Sequence, residues 1–445
     1  MERQAATSKG LEKRLRDLRL ERVRDPRDAT KAKYALPSLL AALIVAGVTG
    51  NGSLRHVELR TGQIAKRFGR WQGITQRIAD NTFGVLARLH LGDLLGRLHA
   101  LVKAEHRRGN LEPTHLPIRT AAIDGKNIAT LRWHDLCRVL ELDPQKASPK
   151  DVKRRLRKQF PSLQFCVPEN GQPYALARVH TVTLISANAA VCLHQRPIPG
   201  ATNEIGAMPA LLEELRRIYG RTKIIEMVTT DAGNTSLNVA TFVVDKMRLH
   251  YFAQIKSEHG DLHTEAVRQL SRRRTQSADA TYTDTQNGYV VTYHVWRADL
   301  AEHGWLSWRH ARQLVRVQRV AVHPVTGTSS TGNRYYVSSK DATQLEPNDA
   351  LRISRGHWRC EEETHWTADV VLGEDRRRLT WSRHPNGVFV ASALRMIALS
   401  ILAVARKLSR FGHTKERPTW SMVAEHFLLV LCATTLLTEE LDAVI

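Results

Sequence analysis

The sequence predicts an α/β protein: a ribonuclease-H-like catalytic core with a β-rich insertion, preceded by a helical N-terminal domain. Three observations predict it. Residues 36–108 carry their leucines at helical spacing. From about 118 the apolar residues come instead in short β-branched runs. Those runs follow the order strand, strand, strand, helix, strand, in which such a core begins.

Taken in order, residues 1–33 hold eleven Lys or Arg and six Asp or Glu in a helix-permissive pattern. They read as a basic N-terminal arm, either solvated or touching a polyanion. In 34–112, Leu39, Leu40, Leu43 and Ile44 set one apolar face, and Leu86, Leu89, Leu91, Leu94, Leu95 and Leu98 set another. Between them, 63–68 and 75–83 could form a helix-turn-helix-like unit, or only short helices of a bundle. With Asn110–Pro117 as a linker, the core is expected over 118–412. Its strands are Ile118–Ile123, Ala177–Ser186, Ala190–Gln195, Ile224–Thr230 and Tyr251–Ile255. Met208–Tyr219 is an amphipathic helix, with Leu211, Leu212, Leu215 and Ile218 on one face, and Phe242–Met247 a second helix. Two insertions interrupt the core: a basic one at 131–172, containing Lys150–Lys158, and the β-rich one at 262–350 with strands at 289–296, 315–322 and 335–338. After 355 the chain is helical again, and 413–445 reads as C-terminal helices.

Composition narrows the partner. With 66 Lys and Arg against 44 Asp and Glu, a net charge of +22 favours a phosphate-rich polyanion, nucleic acid first. A 42% hydrophobic, 25% charged chain is ordinary globular protein rather than a disordered one. Five scattered cysteines without a Cys-x-x-Cys pair indicate neither a disulfide framework nor a zinc knuckle. The first apolar run follows some thirty charge-rich residues, unlike a secretory leader, and neither Tyr34–Ser53 nor Met396–Ala405 suits a membrane span. A cytoplasmic, nucleoid-associated protein is expected, with no small-molecule substrate.

Three segments carry chemistry. Asp124, in Ala-Ala-Ile-Asp-Gly-Lys, follows an apolar run and precedes Gly125, which would let the chain turn. Asp231 likewise follows Met-Val-Thr-Thr. Either could be a helix N-cap; together they suit strand ends that share a hard divalent cation, Mg²⁺ or Mn²⁺, through carboxylate oxygen. The third segment, Arg355-Gly-His357-Trp-Arg-Cys-Glu361-Glu-Glu-Thr-His365-Trp, puts three glutamates on a helix. Three adjacent acids cannot share one face; His357, Glu361, His365 and Asp369, spaced by four, would. Lys126, Lys256, Arg355, His357, His365, Arg154 and Arg155 are candidate DNA contacts, and Arg376–Arg378 could be another or only a solvated loop. Trp358 and Trp366 read as packing residues.

These residues resemble a known family: the DDE transposases of bacterial insertion sequences, in the ISAs-type (H-repeat-associated) branch. The likeness rests on Ala-Ile-Asp-Gly-Lys at 122–126, Thr-Asn-Glu-Ile at 202–205, Asp231-Ala232, Tyr335-Tyr336 and Arg-x-His-Trp-x-x-Glu at 355–361, continued by His365-Trp366, Asp369-Val370 and Glu374-Asp375. It implies Asp124, Asp231 and Glu361 as catalytic ligands of two metal ions, cleavage at transposon ends, and attack of the freed 3′-OH on target DNA by a homo-oligomer. The Arg-x-His-Trp register selects Glu361 among the three glutamates. A non-catalytic DNA-binding derivative and a nuclease without strand transfer are the alternatives. The chain departs from the family pattern in Cys360-Glu361-Glu362 for a usual Ile-Glu-Asn, in Asn234-Thr235-Ser236 for His-Thr-Gln, in the region of Asn287-Gly288-Tyr289, and in a longer stretch after Lys126.

Overall fold

The computed structural model describes residues 2–50, 53–62, 76–300, 306–374, 385–408 and 418–442. One ten-stranded sheet organises it. The strands are β1 (Thr120–Arg132), β2 (Leu163–Cys166), β3 (Tyr174–Leu184), β4 (Val191–Pro197), β5 (Met227–Thr230), β6 (His250–Ile255), β7 (Ala280–Gln286), β8 (Tyr289–Asp299), β9 (Gln313–Val322) and β10 (Ser329–Ser338). Their order is β2-β3-β1-β5-β6-β10-β9-β8-β7, with β4 also on β3.

The inner five, β4-β3-β1-β5-β6, form the ribonuclease-H-like core. β3 lies antiparallel between β1 and β4, whereas β5 runs parallel to both β1 and β6. Parallel neighbours need a crossover, and helices Glu204–Tyr219 and Leu237–Asp245 lie between the strands concerned. The second of these begins five residues before the expected Phe242, because Ser236 caps it by accepting from the Val239 amide at 3.2 Å.

The β-rich insertion is not a separate layer. Its last strand, β10, pairs with β6 from Tyr335↔Ile255 to Ser338↔Phe252, so β7–β10 prolong the core sheet past its edge. The basic insertion packs differently. Its helix Pro149–Gln159 buries only Val152 and Leu156 and leaves Lys153, Arg154, Arg155, Arg157 and Lys158 outside.

The core's other face is covered by helix Asn386–Leu408, the one described helix long and apolar enough to cross a membrane by composition. Here 94% of its apolar window is buried inside the fold. Leu36–Val48, Leu91–Arg107, β4 and Trp420–Asp442 all pack on it, and Gln195 and the Cys192 amide bond Ser392 and Ser400 on its polar side at 2.9 and 3.2 Å. Gly47 crosses so close to Ala398 that an added Cβ would collide with it. The N-terminal helices therefore share one apolar cluster with the sheet and the C-terminal helices.

Residues 63–75, holding the first part of the helix-turn-helix-like unit, lie outside the described residues, as do Arg376–Arg378. The rest of that unit differs from expectation: Asp80–Arg88 is a 3₁₀ helix with Phe83 and Leu86 buried. Apolar residues three apart suit three residues per turn.

Candidate active site

Register brings the two aspartates together. The parallel ladder of β1 and β5 ends at Ile123↔Thr230, so Asp124 and Asp231 are the next residues on adjacent strands, 107 positions apart in sequence. The chain does not turn at Gly125, as expected. β1 continues to Arg132 because β3 still pairs with it, through a bulge between Asn127 and Ala129. Gly125 answers a different need: a Cβ there would run into the carboxylate of Glu204, the first residue of the crossover helix Glu204–Tyr219.

Asp231 does serve as an N-cap. Its Oδ1 accepts from the backbone and side-chain nitrogens of Asn234 at 3.0 and 2.9 Å, while Oδ2 accepts no hydrogen bond among the described residues. Asp124 caps nothing. Its Oδ1 accepts from the Gly125 amide at 2.8 Å, and its Oδ2 lies 3.4 Å from His365 Nδ1.

The third acid comes from a wide helical turn. Helix Pro347–His357 runs into a π-helical segment, Cys360–His365. Such i→i+5 turns recur at functional sites, because one extra residue per turn re-aims side chains. It breaks the expected His357–Glu361–His365–Asp369 ridge, since the four-residue spacing no longer returns to one face. The three glutamates separate accordingly. Glu361 is half-buried and faces Asp231 and Asp124, Glu362 is exposed, and Glu363 accepts from Arg359 at 2.7 Å. Arg359 is locked in turn onto the carbonyls of Ile185, Ala187 and Asn188.

Electrostatics mark the cluster as uncompensated. Burial, then the charges of Asp231 and Glu361, with Glu204 a smaller contributor, push the Asp124 carboxyl up to about 7. Burial, Asp231 and Glu362 also raise Glu361, against Arg334. Among the described residues, Asp231, Glu361 and Glu204 form no ion pair with Lys or Arg. His365 does not neutralise Asp124 either, because burial and Lys126 lower its pKa to about 3 and leave a neutral imidazole.

A cleft of about 980 Å³ opens here, lined by Asp124, Lys126, Glu361, His365, Trp366 and Trp420 among others. Trp366 is 53% exposed at its mouth, not the packing residue expected.

Several candidate DNA contacts have partners within the protein. Lys126 is buried and spent within the protein, donating to Asp369 at 2.7 Å, Glu374 at 2.8 Å and the His365 carbonyl at 3.2 Å. Burial works to raise Glu374, but Lys126 and Arg395 outweigh it and hold that carboxyl low. His357 is buried, with neither ring nitrogen hydrogen-bonded, and burial takes its pKa down to about 4. Arg355 stacks between Tyr282 and Tyr293 and pairs with Asp284 at 3.3 Å, tying its helix to the β7–β8 hairpin. Arg154, Arg155 and Lys256 are exposed and do not line the cleft.

The donor set suits a hard divalent cation: carboxylate oxygens without a neutralising cation. Among the described residues, it is Asp124, Cys360 and His365, rather than three of the acids, that bring one ligand atom each within 4.8 Å of one another. The Cys360 thiol is a poor ligand, however, because burial holds its pKa well above the ordinary value. Glu204 is the residue the sequence reading missed as a site residue. Its only signal there was its place in the Thr-Asn-Glu-Ile motif.

A transposase DDE domain model matches residues 168–401, more than half of the chain; it takes in Asp231 and Glu361 and begins after Asp124. "Putative transposase YncI" of Escherichia coli O157:H7 is 24% identical over 244 residues, covering 50% of this chain and 56% of its own. "H repeat-associated putative transposase YhhI" of Escherichia coli K12 is 24% identical over 234 residues, 50% and 58% of the two chains. The alignments thus span little more than half of these relatives. A cryo-EM structure of the piggyBac transposase synaptic complex with hairpin DNA overlaps 95% of this chain and 76% of its own, at 10% identity and a TM-score of 0.38, too distant to bear on fold or function. The expected resemblance to the H-repeat-associated branch therefore holds, and the chain belongs to the transposase DDE domain family.

Proposed function

We propose that this chain is a transposase that cleaves DNA at the ends of a mobile element and joins the freed 3′-OH to target DNA, with Asp124, Asp231 and Glu361 as its catalytic carboxylates. The observation that carries the reading is that two adjacent parallel strands and one π-helical turn set these three acids to act on one another, with no Lys or Arg ion-paired to any of them among the described residues. These three residues would hold two divalent cations, Mg²⁺ or Mn²⁺, which when bound supply charge neutralisation and an activated water at phosphorus.

The chain's own residues do the rest. Asp124 and Asp231 are held at fixed spacing by the sheet ladder, so the centre needs little reorganisation before reaction. The neutral His365 keeps one Asp124 oxygen oriented without cancelling its charge. Asn234 fixes Asp231 through two hydrogen bonds to Oδ1 and leaves Oδ2 without one among the described residues. Exposed basic residues, Arg154 and Lys158 among them, would hold the flanking phosphates outside the cleft. A homo-oligomer would bring two ends together.

The test is end-DNA cleavage and strand transfer by the full chain with Mg²⁺, against Asp231→Asn. Loss of both steps in the variant is expected, with DNA retention unchanged. Equal cleavage by the two proteins would sink the mechanism, and DNA binding without any cleavage by the wild type would favour a non-catalytic derivative.

A further inference from the structure

We propose that Glu204 is a fourth carboxylate of the metal centre, an oxygen ligand to the cation held by Asp124 and Asp231. The inference rests on the reading above and adds a residue that the Asp-Asp-Glu set leaves out.

Three observations support it. First, the Glu204 carboxylate lies against the backbone of β1 at Gly125, next to Asp124, so close that a Cβ at position 125 would displace it. Second, one amide group spans two of the acids: Asn234 Nδ2 donates to Asp231 Oδ1 at 2.9 Å and to Glu204 Oε2 at 3.3 Å. Third, Asn234 is fully buried, and its Oδ1 makes no hydrogen bond of good geometry, with the buried His180 ring as its neighbour. The amide thus turns its donating Nδ2 to the two acids and its Oδ1 to His180, which holds Glu204 and Asp231 beside one another.

The ordinary role of an acid in the first turn of a helix is to complement the helix dipole. That role needs only solvent, and Asn203 already caps this helix by accepting from the Gly206 amide at 2.9 Å. It explains neither the contact of the half-buried Glu204 with β1 at Gly125 nor its link to Asp231. A carboxylate set beside two others, with no Lys or Arg paired to it among the described residues, is oxygen-donor chemistry that suits a hard divalent cation.

The test measures Mn²⁺ binding to the full-length protein by calorimetry, without DNA, for wild type, Glu204→Gln and Glu204→Asp. Glu213→Gln, on the exposed face of the same helix, is the control. Loss of one ligand is expected to weaken Mn²⁺ by about tenfold or more in Glu204→Gln. Glu204→Asp should fall between, and Glu213→Gln should match wild type. Far-ultraviolet circular dichroism checks that each variant is folded.

Gly125→Ala supplies a second line, because its new methyl would displace only the flexible end of Glu204. It should weaken Mn²⁺ comparably in the wild-type background and add nothing to Glu204→Gln. Unchanged Mn²⁺ affinity in Glu204→Gln, or equal effects of Gly125→Ala in both backgrounds, would overturn the role of Glu204. If Asp124→Asn and Asp231→Asn also leave Mn²⁺ binding intact, the whole centre fails. If they abolish it while Glu204→Gln does not, only this inference fails.

Discussion

Two groups of acids sit on either side of His365, and they are handled in opposite ways. Asp124, Asp231, Glu361 and Glu204 face one another with no Lys or Arg ion-paired to them among the described residues. Asp369 and Glu374, behind them, are held by Lys126, with Arg395 3.4 Å from Glu374. The side chain of Glu374 is completely inaccessible and that of Asp124 only 14% exposed, yet the first carboxyl is held low and the second is driven up to about 7. Burial alone therefore does not set the state of these groups. What differs is whether the protein supplies the counter-charge. Where it does, the acids lock the π-helical segment to β1. Where it does not, the missing charge must come from outside, which is how a cation site is built.

The contrast can be broken at either group. The largest expected effect is at the unpaired acids: Glu361→Gln should lower DNA cleavage by on the order of 10³-fold while leaving the thermal midpoint near wild type. An activity loss accompanied by an equally large stability loss would put Glu361 with the structural acids. At the paired group the pattern inverts. Lys126→Met strands Glu374 in the interior and should cost about 3 kcal/mol in urea unfolding, partly restored by adding Glu374→Gln. If the double variant is no better than the single, Lys126 does not act through Glu374.

The pH dependence is smaller and has a definite sign. Asp124 binds its proton more tightly folded, at about 7, than at the ordinary 3.8. The stability it contributes is present at low pH and lost as pH rises from about 4 to about 7. With a chelator present, Asp124→Asn should therefore gain stability over wild type at pH 8, by roughly 1 kcal/mol or more, and little at pH 4. The difference between the two proteins isolates this group, because the buried His357 and His365, with lowered pKa values, cost stability below about pH 6.5 in both. Excess Mg²⁺ should erase the advantage at pH 8. The smallest effect is expected at the exposed Glu362: Glu362→Gln should change cleavage less than about twofold and stability by less than about 0.5 kcal/mol. A large effect there would move the third carboxylate one residue along the turn.

Much of the fold was legible because periodicity is a local property. The β-branched runs at 177–186, 190–195 and 251–255 became β3, β4 and β6 within a few residues, and Met208–Tyr219 lies inside the first crossover helix. The reach of β1 beyond Asp124 was not legible, because its continuation depends on β3 lying alongside. Nor was the attachment of the β-rich insertion, since Tyr335–Ser338 pairs with β6 across about eighty residues of chain. In the site, the positions of Asp124 and Asp231 could be read from apolar runs that end in an acid. The fates of Lys126 and Arg355 could not, because whether a cation meets a phosphate or a carboxylate is decided by what packs against it.

By itself the sequence determined the class of the molecule: α/β, basic, with two strand-borne aspartates and a late glutamate-rich helix. These follow from residue type and spacing, which act over a few positions. The family register already pointed to Glu361, but only the tertiary structure decided how the three glutamates part, that Gly125 makes room rather than a turn, and that Glu204 stands beside the aspartates. The π-helical turn that sorts the glutamates changes the phase on which helical spacing relies. The meeting of Glu204, Asn234 and Asp231 depends on the sheet and the crossover helix being packed together first.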